Sequence, residues 1–125
     1  MQAFYDNKPS VLEAVGNGSY RYRWGIVEIE QPAHEDDGQS TTQWQCQEVT
    51  VWTPLTSNKI TEAVIGELWS SSYEQKLVNE FNSANLGVYD EGTSAAKIAA
   101  YKDFLTARQA IKQIIDDDCK RLGIK

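Results

Sequence analysis

The spacing of apolar side chains changes near Pro54. Before that residue, apolar and aromatic side chains recur at every second position, as at Tyr22 and Trp24. After it, they recur every three or four positions, as at Ile60 and Val64. A period of two is typical of strands and a period near 3.6 is typical of helices. The pattern predicts an α+β fold in which an N-terminal antiparallel β-meander is followed by two helices and a long C-terminal helix.

The strand half of the chain contains alternating segments at residues 11–15, 19–30 and 41–52, and a shorter one at Phe4 and Tyr5. In both long segments the apolar positions change from one parity to the other. If Trp24 pairs with Val49, and Val27 with Cys46, the two changes of parity lie at the same position along the paired strands. Opposed residues of an antiparallel pair share a face. We therefore expect a twisted hairpin whose apolar face changes side midway, near Gly25, where glycine eases a bend or a bulge.

The helical half contains three periodic segments with their own end signals. The first is capped by one of residues 56–58 and ends near Ser70. The second begins with a capping box at Ser71 or Ser72 and ends near residues 85–87. The third runs from about residue 95 to 122, with Gly123 as its stop signal. The whole chain, 1–125, is predicted to be one domain with a β-rich part at 1–53 and a helical part at 56–122.

Two expectations concern apolar residues of this helical half. The stripe of the third helix is longer than the second helix can cover, so the remainder should pack on the sheet or on another copy of the chain. The connection between these helices carries Leu86, Val88 and Tyr89, which we expect to dock on the core. Surplus apolar surface would favour self-association.

The charge of the chain limits its partners. A formal net charge of −6 and a pI near 4.7 disfavour phosphate backbones and anionic membrane surfaces. No apolar run is long enough to span a membrane, and the first residues carry no secretory signal pattern. We therefore expect a cytoplasmic protein that binds neither nucleic acid nor membrane.

No motif of catalytic or metal-binding spacing is present, and we expect no cofactor and no metal. Cys46 and Cys119 are interpreted as free structural thiols, although the sequence leaves a disulfide open. His34 is the single histidine and lies in the acidic loop 30–40, which is interpreted as a solvated hairpin tip. Residues 116–118 are three aspartates that fan around a helix, so we expect a solvated face, with a contact for a basic partner as the alternative.

Aromatic side chains on the two long strands form the one candidate binding surface. If exposed, they would stack sugars or grip a protein, and if buried they are core. A weaker alternative is an enzyme with an acidic pocket drawn from four glutamates, because paired carboxylates with divergent pKa values perform acid–base chemistry. The candidate surface comprises Tyr20, Tyr22, Trp24, Trp44 and Trp52, and the candidate pocket comprises Glu28, Glu30, Glu48 and Glu62.

The stretches at residues 11–19, 43–46, 55–65 and 73–80 resemble small uncharacterised proteins of gut bacteria and of their phages and prophages. The resemblance covers most of the chain and assigns no activity to any residue. It implies a prophage-encoded, tail-associated or virion-assembly protein, located in the cytoplasm or incorporated into a virion. Our leading hypothesis is therefore a non-enzymatic interaction protein with a protein partner or a second copy as ligand. The alternative is a carbohydrate- or peptide-binding module that uses the strand aromatics.

Overall fold

The computed structural model describes residues 1–31 and 41–125, with the backbone alone at Gln31. Residues 32–40 of the acidic loop, His34 among them, therefore lie outside the described residues. Within the described part, a four-stranded antiparallel sheet precedes three helices, the last of them long, which confirms the α+β fold. The elements are β1 (Gln2–Tyr5), β2 (Leu12–Ala14), β3 (Ser19–Gln31), β4 (Thr41–Trp52), α1 (Ser57–Leu68), α2 (Ser71–Asn85) and α3 (Glu91–Leu122).

The strand order across the sheet is β1-β4-β3-β2. Each long strand therefore has a short strand on its outer side: β2 beside the first residues of β3, and β1 beside the middle of β4. Gly16 and Gly18 both have positive φ in the turn between β2 and β3, a conformation that glycine adopts without strain. The sheet thus ends in two short strands, and each long strand has an uncovered stretch.

The β3–β4 register differs from the predicted one. Trp24 pairs with Gln47 rather than Val49, and Val27 pairs with Gln45 rather than Cys46. The predicted bulge is present, with Gly25 at φ 63° and the register shifting between Trp24 and Val27. Its effect is the opposite of the prediction, because the extra residue keeps the apolar positions of β3 on one face.

The faces of the sheet follow from this register. The face toward the helices carries Tyr22, Trp24 and Val27 from β3, together with Val49 from β4. Strand β4 has no matching bulge, so Cys46 and its even-numbered neighbours lie on the opposite face, here called the far face. Only β4, therefore, changes the side on which its apolar residues lie.

Each helix begins at a side-chain cap. Thr56 accepts a hydrogen bond from the Lys59 N–H, which confirms one of the predicted caps. Helix α2 is capped by Ser70, one residue before the predicted capping box, and Ser70 Oγ accepts from the Tyr73 N–H. Helix α3 is capped by Asp90 and begins at Glu91, four residues before the predicted start, and it ends, as predicted, at left-handed Gly123. Local hydrogen bonding therefore fixes all three helix starts.

The core joins the sheet to two of the helices. Side chains of α1 and of the C-terminal half of α3 pack on the helix-facing side of β3 and β4. The N-terminal half of α3 packs against α2, where Phe81 and Tyr101 meet edge to face at 4.8 Å between ring centroids. The long stripe of α3 is thus covered only in part within the chain, by α2 at one end and by the sheet at the other, and Ile98, Leu105 and Leu122 remain exposed. The buried cluster is Tyr22, Trp24, Val49, Val51, Ile60, Val64, Ile115 and Cys119.

The connection between α2 and α3 contradicts one prediction. Leu86 is 81% exposed and Val88 is 68% exposed, so neither docks on the core. Tyr89 is half-buried. The reason is geometric, because α2 and α3 form a hairpin whose turn lies at the end of α3 away from the sheet.

Candidate functional site

The structure does not bring the five predicted aromatic residues together on one surface. Tyr22 is fully buried and Trp24 is 7% exposed, and their rings stack at 6.0 Å between centroids within the core. Tyr20 is half-buried on the same side of the sheet. Burial, and then a hydrogen bond from the Tyr22 hydroxyl to Asp118, raise the pKa of the Tyr22 phenol. These side chains are therefore inaccessible to a stacking ligand or only partly accessible.

The two remaining aromatic residues lie on the far face. Trp44 is half-buried, and the Lys8 ammonium lies 5.6 Å from the centroid of a Trp44 ring. Trp52 is 57% exposed at the C-terminal end of β4. Of the predicted surface, Trp52 alone combines a large ring with wide solvent access.

The far face also contains a buried cationic cluster that the sequence did not reveal. Arg23 lies on the far face, opposite Glu48, and is only 3% exposed. Its guanidinium donates to Glu48 Oε2 at 3.0 Å, to Glu13 Oε1 at 2.7 Å, to the Tyr5 hydroxyl and to the Ser10 carbonyl. The bond to Ser10 ties the β1–β2 connection across this face. We call these residues the Arg23 cluster.

The electrostatics of the Arg23 cluster keep it charged. Burial alone would raise the pKa of the Glu48 carboxyl, but hydrogen bonds from Tyr5 and Arg23, together with the Arg23 charge, hold this pKa below its ordinary value. The pKa of Tyr5 is raised, first by burial and then by its hydrogen bond to Glu48. Each nitrogen of Arg23 has a hydrogen-bond partner, so the cluster is a structural clamp rather than a reactive centre.

Strand β4 has an open edge beyond the N-terminal end of β1. Glu48 exchanges both backbone hydrogen bonds with Met1, at 2.8 and 2.9 Å. In an antiparallel ladder the residues that face one neighbour alternate, so Thr50 and Trp52 direct their backbone groups to the same side as Glu48. Among residues 1–31 and 41–125, no strand lies beside them on that side. The Trp52 carbonyl is occupied by the Lys59 ammonium at 3.3 Å.

A groove runs between this edge and α1. It comprises two adjoining cavities of about 440 and 350 Å³ that share Thr50, Glu62 and Ala63 in their walls. Small residues of α1, Ala63 and Gly66, line its helix side, and Trp52 lines one end. We call this the β4–α1 groove. No signal in the sequence pointed to it, because it depends on where β1 stops along β4.

The proposed acidic pocket is only partly assembled. Glu28 and Glu30 lie on the far face near the outer end of the hairpin, away from α1. Glu48 and Glu62 both line the larger cavity of the β4–α1 groove. The Glu48 carboxylate, however, already accepts from Arg23 and Tyr5 through Oε2.

The three consecutive aspartates of α3 fan out as predicted, but they are not all solvated. Asp116 pairs with Lys112 at 3.0 Å, and Asp117 accepts from Gln113 at 3.0 Å on the exposed side. Asp118 turns toward the sheet, where it accepts from the buried Tyr22 hydroxyl at 2.6 Å. Helical spacing predicted the fan, whereas the Tyr22 contact depends on how α3 packs on the sheet.

Cys46 and Cys119 are both buried and unpaired, one on the far face and one in the core on the helix side. Within the described ranges, no group of three histidine, cysteine or acidic side chains is placed to hold a metal ion. None of the helices described is both long and apolar enough to cross a bilayer.

No protein-family model, curated protein or solved structure matches this chain. The function of this chain is therefore inferred from the surfaces described above.

Proposed function

We propose that this protein is a non-enzymatic interaction protein that binds an extended segment of a protein partner along the open edge of β4. The observation that carries the proposal is the outward backbone of Thr50 and Trp52 beside the β4–α1 groove. An unpaired edge is a template for an added strand, because its amide and carbonyl groups match those of any extended chain.

The added segment would continue the line of β1 along β4. The available backbone groups are the N–H and carbonyl of Thr50 and the N–H of Trp52. Such hydrogen bonds each contribute about 0.5–1.5 kcal/mol net. Covering the exposed part of the Trp52 ring adds about 2–3 kcal/mol. Association also costs translational and rotational freedom, so these contributions alone give weak binding, and partner side chains in the groove would supply the remaining affinity and the specificity.

The resemblance to phage and prophage proteins supplies the proposed setting, a structural or tail-assembly component of a virion. An exposed edge suits assembly, because a strand from a neighbouring subunit can seal it. The carbohydrate-binding alternative has less support, since Tyr22 and Trp24 lie in the core and leave no row of exposed rings.

The test compares two substitutions at Thr50. Thr50→Pro removes the outward N–H without touching the bonds to β3, whereas Thr50→Val keeps the N–H and the β-branched shape. Peptides of about twelve residues would be selected by display on the immobilised wild-type protein. Their affinities would then be measured by calorimetry for the wild type and for both variants.

We expect Thr50→Val to bind the selected peptides like the wild type and Thr50→Pro to bind them about tenfold more weakly. Equal binding by Thr50→Pro would exclude strand addition at this edge. Light scattering on the same samples identifies the occupant: a wild-type dimer that Thr50→Pro converts to a monomer would show that a second copy, rather than a different protein, fills the groove.

A further inference from the structure

A further cavity lies where the three helices converge, and its walls share Glu62 and Gly66 with the β4–α1 groove. It has a volume of about 240 Å³. Its walls come from the C-terminal half of α1, the first turn of α2 and the middle of α3. The lining residues that carry the argument are Arg108, Glu62, Glu74, Trp69 and Ile65.

Arg108 is the unusual residue of this cavity. It is half-buried on the inward side of α3, and its Nε is shielded from solvent without a hydrogen-bond partner. Every ion pair found among the described residues involves other cations. A shielded N–H without a partner is unfavourable, because its lost water contact is not replaced. Arg23, by contrast, is more deeply buried, and each of its three guanidinium nitrogens has a hydrogen-bond partner.

The other walls of the cavity are chemically divided. Glu62 and Glu74 carry negative charge at its lining, and neither forms an ion pair with Arg108 within 4.0 Å. Trp69 and Ile65 form the apolar part, and the Trp69 ring is held edge to face against Phe104 at 5.2 Å between centroids. One cavity therefore offers a cation, two carboxylates and an apolar wall.

We propose that this cavity binds a small zwitterion with an apolar side chain, of the α-amino-acid class. The ligand carboxylate would accept from Arg108, its ammonium would face Glu62 and Glu74, and its side chain would lie against Trp69 and Ile65. A simple anion would meet two like charges, and a simple cation would meet Arg108. Only a ligand with both charges offsets both kinds of group. The proposal is independent of strand addition at β4.

The test uses three probes of nearly equal size: L-leucine, 4-methylpentanoate, which lacks the ammonium, and 3-methylbutylamine, which lacks the carboxylate. Each is titrated into ¹⁵N-labelled protein while the Trp69 indole N–H and the Arg108 Nε–H are followed by NMR. We expect leucine to give saturable shifts at both groups, with a dissociation constant on the order of 1 mM. Each single-charge probe should bind about tenfold more weakly.

Arg108→Met should abolish the leucine response, and Arg108→Lys should weaken it while keeping the charge. Lys102→Met is the matched control, because Lys102 is an exposed cation of the same helix outside this cavity. It should leave leucine binding unchanged. If leucine gives no saturable shift, if the three probes bind equally, or if Arg108→Met binds leucine like the wild type, the proposal is wrong. Thr50→Pro should not affect leucine binding, so failure of one proposal does not carry over to the other.

Discussion

Replacing Arg23 with methionine removes the centre of the Arg23 cluster while keeping a long unbranched side chain. Arg23 is 3% exposed and donates to two carboxylates, a phenol and a main-chain carbonyl. After Arg23→Met, Glu48 keeps Tyr5 as its partner but loses the buried positive charge. The Ser10 carbonyl also loses the bond that ties the β1–β2 connection to the far face.

The size of the effect follows from the burial of the partners. Breaking a buried ion pair costs about 3–5 kcal/mol, because one charge remains uncompensated. Glu48 is 14% exposed, so we expect the lower end, about 3 kcal/mol. Glu13 is 49% exposed and contributes less than about 1 kcal/mol. For a chain of this length a loss of about 3 kcal/mol corresponds to a fall in Tm of about 10–15 °C.

The pH dependence gives the reasoning a second check. The pKa of Glu48 lies below its ordinary value in the folded protein, so this group stabilises the fold above pH 4.5, its unfolded value, and the contribution is lost as the pH falls through the folded pKa. In Arg23→Met the burial of Glu48 remains but the positive charge is gone. The difference in stability between wild type and variant should therefore shrink below about pH 4.5.

The assay is urea unfolding followed by circular dichroism at pH 7 and at acid pH, with Arg21→Met as control. Arg21 lies on the same strand and the same face but is exposed, so its loss should change stability by less than about 0.5 kcal/mol. Adding Glu48→Gln to Arg23→Met should restore part of the loss, because the orphaned charge is removed. If Arg23→Met changes the free energy of unfolding by less than about 1 kcal/mol, or by an amount that does not depend on pH, the Arg23 cluster is not a structural clamp.

Three further outcomes are expected. Gly25→Ala should destabilise the protein by about 1–2 kcal/mol in urea unfolding because φ there is 63°, whereas Gly66→Ala, in open space within a helix, should stabilise it by up to about 1 kcal/mol. The phenol absorbance of Tyr22 should not titrate near pH 10 in the native state, because its folded pKa is raised. Its stabilising contribution is therefore fully present below pH 10, the unfolded pKa, and is lost as the pH rises through the folded pKa. Cys46 and Cys119 should react with a thiol reagent only on unfolding, because burial raises the pKa of both thiols.

Features set by neighbouring residues could be predicted from the sequence. The strands, the cap of α1 and the stop at Gly123 depend on alternation and on caps, which act within a few residues. The register could not be predicted, because a bulge at Gly25 and a change of face produce the same change of parity in the sequence. In β3 the bulge keeps the apolar residues on one face despite the change of parity. In β4, which has no matching bulge, the change of parity places Cys46 on the far face.

The candidate surfaces depend on contacts between distant parts of the chain. The open edge at Thr50 lies beyond the last backbone pair between β1 and β4, and no local sequence pattern specifies where that pairing stops. Arg23 is buried because the β1–β2 connection crosses the far face. Leu86 and Val88 show the reverse error, since an apolar residue in a connection need not be buried.

The length of α3 has a mechanical consequence. Its 32 residues form one uninterrupted rod of about 48 Å that is anchored to the sheet at one end and carries Leu86 and Val88 beyond the other. A tilt of about 5° at the anchored end would sweep the far tip through about 4 Å. A small rotation at the sheet would therefore produce a larger displacement of Leu86 and Val88, as at the long arm of a lever.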